Sequence, residues 1–475
     1  MAIYYTTNPN EFKLTDSVII AEQAQTTSGR LSSGPALVGI VGAFPWGPTD
    51  TLLEFASGAA LLETLVGGYS APEEYGGYRA IAEKRFGGEL RIVRVEATDA
   101  VKASRTLDDG TNDSIDITAK YSGAAANEIT VLYTKVDATT FDLTVTWGSI
   151  IETFEGITFN AAGMAYLTAN SDYINAALNV AAGGIPDSDV SAVALSSGSD
   201  GTLADLDYTG SSSVASGLYV LRQMEDGGYV FVAEYTSAAV ITALQAHVAA
   251  KICVAGAQAS SSNDQATNNT AASSTSDERI KLFNHRVTQL INGTLFTVDL
   301  TAFNAAIWSS IDPSESIAQK KWKSHLSPIA GVPAGVLLER SQWIAANAVG
   351  AIMLEKLTDG GYKFHMDITS DPADGVTSAV RRRMHDLVNF ETGTALENFA
   401  NAKPTPDTRR AAKAAMDKKL TTLQSNQQIE EFSTSEVSRT GDSVTYETKV
   451  KLFGEMRFII NKTTVGENVV IDEVA

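Results

Sequence analysis

The residues best suited to metal ligation or to proton transfer near neutral pH are five histidines, His247, His285, His325, His365 and His385. None stands at HxH or HExxH spacing from another, so no two imidazoles are placed to share one ion. The expectation is isolated structural or surface histidines and no metal site. Asp108-Asp109-Gly110-Thr111-Asn112-Asp113 is rich in oxygen ligands. It lacks the alternating spacing and closing Glu of a calcium loop and reads as a polar turn. No GxxxxGK occurs and no GxGxxG follows a strand, so the glycine loops that cradle phosphates are missing. Gly198-Ser199-Asp200-Gly201 is not a GxSxG elbow but reads as a tight turn with glycine at positive φ. Glu430-Glu431 is an ordinary pair at this composition and implies no acid–base work. The single cysteine, Cys253, lies in the run Lys251-Ile252-Cys253-Val254-Ala255 and reads as a buried, inert thiol with no disulfide partner. No constellation of nucleophile, base and electrophile emerges. The expectation is a protein that is not an enzyme and holds no cofactor.

With that chemistry set aside, composition narrows the class. The chain has 475 residues, which suggests about three domains. Apolar residues make up 44% and charged residues 19%, enough apolar material for packed cores. The formal charge of -20 opposes wrapping of nucleic acid and binding to an anionic membrane surface. Neither partner is expected. The opening MAIYYTTNPNEFKL has no basic or apolar leader region, so no signal peptide is expected. The longest apolar stretches, such as Ala345 to Leu354 with Asn347 and Gly350 inside, fall short of the roughly 18 residues of a membrane span.

The elements come next. Ala36 to Gly42 is a continuous apolar run with the length and β-branching of a buried strand. It runs into Ala43-Phe44-Pro45-Trp46-Gly47-Pro48, a turn. Helical periodicity follows around Ala59 to Leu65 and from Tyr78 to Phe86, and Leu90 to Val95 alternates as a strand. Strand, helix, strand implies a mainly parallel sheet. From Thr98 to Gly198 short Thr-bearing segments alternate with period two: Ser114 to Lys120, Glu128 to Tyr133, Phe141 to Trp147 and Ile150 to Phe154. A helix over Ser171 to Val180 is expected to close this β-rich module. Because α/β patterning resumes at Tyr229 to Ala233 (strand) and Ala238 to Ala250 (helix), the module reads as an insertion. Ser260 to Ser276 has no large apolar residue and reads as a solvated loop. Lys281 to Asn284, Gly335 to Leu338 and Tyr362 to Ile368 are strand candidates. Ser341 to Leu357, Val376 to Phe390 and Thr408 to Gln424 read as helices. Gln428 to Ser433, Ser443 to Lys451, Met456 to Ile460 and Asn468 to Val474 read as strands.

The expected fold class is therefore a multi-domain α/β (α+β) chain. Its parts are an N-terminal extended arm (1–30), a core domain in two pieces (31–97 and 201–375), an inserted β-rich outer domain (98–200), a C-terminal domain (376–460) and a C-terminal arm (461–475). Both arms carry apolar β-prone patches with no obvious neighbour to pair with. These are Val18, Ile19 and Ile20 at one end and Val469, Val470, Ile471 and Val474 at the other. Two readings stand: the arms add strands to a neighbouring subunit's sheet, or they complete the sheets of their own subunit. Charge is segregated as well. Between Val376 and Gln424 there are nine cations and five anions, a net +4, which leaves -24 for the rest of the -20 total. On the helix over Thr408 to Gln424, Arg409, Arg410 and Lys413 share about one-third of the circumference, while Lys418 and Lys419 lie elsewhere. Met416, Leu420 and Leu423 form an apolar stripe on the Arg409 side. The basic residues read either as a solvated rim or as a docking face for an acidic partner.

In this order the segments resemble the contractile tail sheath proteins of tailed phages and phage-tail-like particles. Gly39 to Pro48 resembles the family's strand and aromatic, Pro- and Gly-rich turn. Arg85-Phe86-Gly87-Gly88 and the strand ending Arg94-Val95 resemble its aromatic-Gly-Gly segment and the strand that follows. Tyr121 to Val131 resembles PGxxGNxIxV, with Ala126 in place of the usual glycine, and Leu195 to Gly201 resembles LxGGxDG. Val380 to Phe390 and Phe453 to Val474 resemble the helix and terminal strands of the C-terminal domain. The stretch from Gly256 to Val332 departs from the pattern, and the usual PSG-x-xAGV appears only as Ile329 to Val336.

The resemblance implies a structural subunit that polymerises as stacked, usually hexameric rings around a tail tube. Contraction drives the tube through the host envelope for genome ejection. Arms shared between subunits would form a mesh, the insert would face outward, and the C-terminal domain would present Arg409, Arg410, Lys413, Lys418 and Lys419 to the tube. Implied partners are further copies of the chain, the tube protein, and baseplate and tail terminator proteins. The implied location is the virion tail, after assembly in the host cytoplasm. A tailocin or type VI secretion sheath is the near alternative. A glycan-binding tail component, using an aromatic such as Trp147 that reads at least equally as a core residue, is the distant one.

Overall fold

A computed structural model describes residues 3–6, 18–21, 37–56, 64–70, 89–108, 113–179, 185–186, 189–224, 227–251, 253–291, 293–371, 378–399, 402–440 and 443–453. The chain divides into two compact units, Met1–Gly393 and Thr394–Ala475.

The first unit opens with β1 (Ile3–Thr6) and β2 (Val18–Ala21), which pair in parallel as a sheet of two strands. Next come β3 (Val38–Gly42), β4 (Leu52–Phe55) and β5 (Leu90–Arg94). All five residues of β3 are buried, as its unbroken apolar run requires. Gly39 lets the sheet approach its cover closely, since a Cβ there would stand 3.0 Å from Met224 Sδ. All five residues of β5 are buried as well, including Arg91 and Arg94, where alternation predicts a half-exposed strand.

Residues 104–194 contain β6 (Ser104–Asp108), β7 (Asp113–Ala119), β8 (Thr130–Lys135), β9 (Thr140–Trp147), β10 (Ile150–Thr158), α1 (Ala161–Asn170), β11 (Ile174–Leu178) and β12 (Val190–Ala194). They form two antiparallel sheets, β10-β9-β8-β12 and β11-β7-β6. Burial along β9 alternates without a break, and Phe141, Leu143, Val145 and Trp147 point into a core shared with Ile115, Ile117, Val131 and Tyr133. The helix expected over Ser171 to Val180 is a misreading. The helix precedes it, capped by the Asn160 side chain accepting from Gly163 N. Ser171 Oγ then accepts from the amides of Tyr173 and Ile174 and turns the chain. Ile174 to Leu178 fills the open edge of β7, so pairing overrides the helical bias of the alanines.

The chain continues through α2 (Asp205–Thr209), α3 (Leu218–Leu221), β13 (Tyr229–Val232), α4 (Ala238–Ala250), β14 (Val254–Gln258), α5 (Gln265–Ser273) and β15 (Ile280–Phe283). It then forms β16 (Val287–Ile291), β17 (Thr294–Val298), α6 (Leu300–Trp308), β18 (Ile329–Gly331), α7 (Arg340–Ala348), β19 (Ala351–Ile352), β20 (Leu354–Lys356) and β21 (Tyr362–Phe364). A seven-stranded sheet runs β19-β15-β14-β13-β3-β5-β4, parallel except for β4 at one edge. Its two faces follow the period of two. Val41, Val93, Val230, Val232 and Ala255 meet Leu218, Leu221, Leu244 and Val248 from α3 and α4. Val38, Ile40, Leu90, Ile92, Tyr229 and Phe231 meet Ala302, Ala305 and Trp308 of α6. Both faces are thus covered, the usual setting of a parallel sheet.

Three further expectations are corrected. Ser260 to Ser276 is not a bare loop but contains α5, capped by Asp264 and fixed by the buried Asn268, which bonds Ser260 and the Asn284 carbonyl. Gly335 to Leu338 is not a strand. Gly335 has φ 92°, and the backbone of Leu337 is occupied by the Gln265 side chain. The helix expected to reach Leu357 ends at Ala348, because Gly350 turns the chain at φ 73° into β19 and β20.

The helix α8 (Ala379–Glu397) leads to α9 (Pro406–Ser425), β22 (Glu431–Thr440) and β23 (Ser443–Lys451). In the second unit Thr405 caps α9 with Pro406 at its first turn. Ala412, Met416, Leu420 and Leu423 are the buried stripe of α9, which packs on β22 of the β22–β23 hairpin. The expected helix over Tyr78 to Phe86, the strands Met456 to Ile460 and Asn468 to Val474, and the Arg85-Phe86-Gly87-Gly88 segment lie outside the described residues.

Candidate assembly surfaces

Segments that stand far apart in sequence meet where the β-rich module leaves the central sheet. Arg94, at the end of β5, donates through Nε to Phe44 O (2.8 Å), through Nη1 to Gly47 O (3.0 Å) and through Nη2 to Ser122 O (2.8 Å). Glu96 balances it at 3.1 Å and accepts from the Ser122 hydroxyl. Trp46, in the turn after β3, packs its ring 4.9 Å from Trp147 and 5.1 Å from Tyr121. The two chain crossings are tied to each other. Thr202 N donates to Asp99 (2.9 Å), Ala124 N donates to Asp200 (2.9 Å), and Asn127 exchanges two hydrogen bonds with Gly198. Val101 and Ser199 add an antiparallel bridge. Gly201 is required here, because its φ is 68° and a Cβ would stand 2.3 Å from Asp99 Oδ1. The module is therefore clamped to the sheet by charge, backbone and aromatic contacts.

Val18, Ile19 and Ile20 lie on β2, each opposite a residue of β1. Neither strand joins the seven-stranded sheet. Val469, Val470, Ile471 and Val474 lie outside the described residues.

On α9 the basic residues separate. Arg409 is turned toward the hairpin, where it pairs with Glu436 on β22 and its carbonyl accepts from the Tyr446 hydroxyl (2.9 Å). Lys413 bonds Asp417 at 2.7 Å, one turn on. Arg410, 78% exposed, pairs with Asp407 at 2.9 Å. Lys418 is exposed and Lys419 half-buried.

No family model matches the chain, and no curated protein matches it by sequence. Solved structures do match. A sheath tail protein from Desulfitobacterium hafniense superposes with a TM-score of 0.63 at 16% identity, covering 91% of this chain and 99% of that one. One from Listeria innocua gives 0.60 at 16% identity over 89% and 96%. The helical sheath of the anti-feeding prophage in its contracted state gives 0.55 at 12% identity over 95% and 99%. The chain has the contractile tail sheath fold.

Within this sheath fold, sequence reasoning missed a set of buried charges. Asp386 on α8 receives both Nη atoms of Arg279 at 3.1 and 3.2 Å and is also bound by Arg382, one turn away. Burial pushes its carboxyl up to about 6 against the pull of the two arginines. Arg383 lies 3.9 Å over the Trp308 ring and donates to Ile311 O (3.3 Å) and Glu315 O (3.4 Å), and burial pulls it down to about 10. Arg382 and Arg383 therefore belong to the interior, and they drop out of any solvated basic face. Glu234, two residues past β13, turns the chain at φ 53° and shares Arg286 with Asp299. Burial and the neighbouring Asp299 push Glu234 up to about 8. The histidines stand apart. His247 and His285 are fully buried and pulled down to about 4 and about 3 by desolvation, while His365 stacks on Trp343 and bonds Glu355. Among the described residues no group of three or more potential ligands could hold a metal ion. Cys253 is buried, and Trp147, 1% exposed, is core and offers no face to a sugar.

Proposed function

We propose that this chain is the structural subunit of a contractile phage tail sheath. Copies stack as hexameric rings around a tail tube, and contraction drives the tube through the host envelope for genome ejection. The observation that carries this reading is the sheath fold running through nearly the whole chain. The division 1–30, 31–97, 98–200, 201–375, 376–460 and 461–475 then acquires roles. The arms join neighbouring subunits, the β-rich part faces outward, and the C-terminal part faces the tube. The clamp of Arg94, Asp99 and Asp200 supports movement of the β-rich part with the sheet as a rigid lever. Among the described residues β1 pairs only with β2, which supports the arm role, because a sheet of two strands is marginal in water and gains from a strand of another chain. On α9, Arg410 and Lys418 are the cations available to an acidic tube surface, with Arg409 and Lys413 as intramolecular supports. Partners in this reading are further copies of the chain, tube, baseplate and terminator proteins.

Electron microscopy of the purified protein tests the proposal, with rings or tubes of regular repeat as the expected outcome. Deleting residues 468–475 is expected to abolish ordered tubes while leaving soluble subunits. Tubes of wild-type length from that variant would remove the C-terminal arm from the mesh.

A further inference from the structure

Lys281 on β15 is fully buried, and its ammonium is not spent on a surface pair. Nζ lies 2.6 Å from Asp367 Oδ1 and 3.2 Å from Asn304 Oδ1 on α6, and 5.2 Å from the centre of the Trp308 ring. Asn304 is fully buried and Asp367 nearly so. The second carboxylate oxygen of Asp367 accepts from Ile317 N at 3.1 Å, which fixes its plane. Asn304 Nδ2 makes no well-formed hydrogen bond among the described residues and has the Tyr229 hydroxyl as its polar neighbour. An amine, a carboxamide and a carboxylate are thus held together away from bulk water, with the amide nitrogen poorly tied down. The chemistry that needs those three groups in that arrangement is transamidation.

We infer that Lys281 and Asn304 become joined by an intramolecular amide bond, with Asp367 as the proton shuttle. Asp367 takes a proton from the Lys281 ammonium, freeing the Nζ lone pair to attack Asn304 Cγ. The Nζ–Cγ bond forms, the Cγ–Nδ2 bond breaks, and Asp367 returns the proton to the departing nitrogen. That nitrogen leaves as ammonium, carrying the two protons that lysine gives up. Nothing is oxidised or reduced, and no further reagent is consumed. Fixed proximity replaces an encounter that water would make slow. The product ties a central strand to the helix covering it. It also replaces a buried ion pair with a neutral link, in a molecule built to carry load.

The test is peptide mapping of the full-length purified protein. The expected result is a branched tryptic peptide joining Lys281 to Asn304, no cleavage after Lys281, and an intact mass one ammonia below that of the sequence. Asp367→Asn and Asn304→Leu are expected to give only linear peptides, with circular dichroism showing that the subunits fold. Quantitative cleavage after Lys281 in the wild type overturns the inference. So does an ammonia loss without a branched peptide, which marks a cyclic imide at Asn304. Branching that survives in Asp367→Asn overturns the shuttle role.

Discussion

The central sheet and the β-rich part between Ser104 and Ala194 bury their side chains on different terms. In the β-rich part the core is aliphatic and aromatic, and the buried polar side chains among its described residues are Ser122 and Ser171. Around the central sheet, Arg91, Arg94, Arg279, Lys281, Arg382, Arg383, Asp367 and Asp386 are all buried. The first core is held by area, which tolerates volume-conserving exchange. The second adds buried charges to its apolar packing, and a charge such as Arg279 or Asp386 is costly once its partner goes. The pairs also span long stretches of chain, as Arg279 with Asp386 does, so they specify which elements meet.

The largest effect should come from breaking that matching. Asp386→Ala leaves Arg279 and Arg382 buried without their carboxylate and should cost about 3–5 kcal/mol. Leu143→Ala, in the aliphatic core, should cost about 2–5 kcal/mol, and Leu143→Met less than about 1.5 kcal/mol. Urea unfolding of the purified protein reads all three. A loss below 1 kcal/mol for Asp386→Ala would mean that water reaches the arginines, and the contrast between the two cores would fall.

This difference also governs what the sequence could reveal. Alternation over Phe141 to Trp147 marks a half-buried strand, and it is one, because the partner of an apolar side chain is any other apolar side chain. Leu90 to Arg94 carries a similar signal yet is buried on both faces: Arg94 finds acceptors far away in the chain, while Arg91 is held by the neighbouring Leu90 carbonyl and Glu89. A charged residue in a sequence reads as solvent-facing until its partner is known. The same blindness hides α5, whose polar residues read as a loop but whose Asn268 is a buried anchor. It also hides β11, where a strand edge supplied by β7 decides the conformation of an alanine-rich stretch. On α9 the apolar stripe was legible and the use of Arg409 was not, because Glu436 stands on another element.

Acid should sharpen the contrast in a second way. His247 and His285 lie in the central part, and the β-rich part contains no histidine. Both imidazoles are pulled below their usual 6.5, to about 4 and about 3, so the native state refuses protons that the unfolded chain accepts. Their contribution is complete above pH 6.5 and is lost as pH falls toward those values, at up to ~1.4 kcal/mol per pH unit each. Glu234 and Asp386, shifted upward, act in the opposite sense over their own ranges, so the clean measurement is a difference. His285→Gln should be less stable than wild type at pH 7, and the gap should close at that rate between pH 6.5 and pH 4. A gap independent of pH would show that His285 takes up its proton in the folded protein over the same range as in the unfolded chain.

The smallest effect on stability belongs to the exposed cations of α9. Arg410 is 78% and Asp407 92% exposed, so Arg410→Ala should change unfolding by no more than about 0.5 kcal/mol. On the proposed sheath reading, the same substitution, or Lys418→Glu, should weaken association with tube protein, and should do so more at low salt, where an exposed cation steers an acidic surface best. Arg409→Ala should behave in the reverse manner, because its guanidinium is committed to Glu436 on β22. Sedimentation of tube–sheath mixtures at two salt concentrations separates the cases. If Arg410→Ala and Lys418→Glu bind tube like wild type while Arg409→Ala does not, the contact runs through the hairpin and not the helix, and the stability of the second unit rather than its charge is what the tube requires.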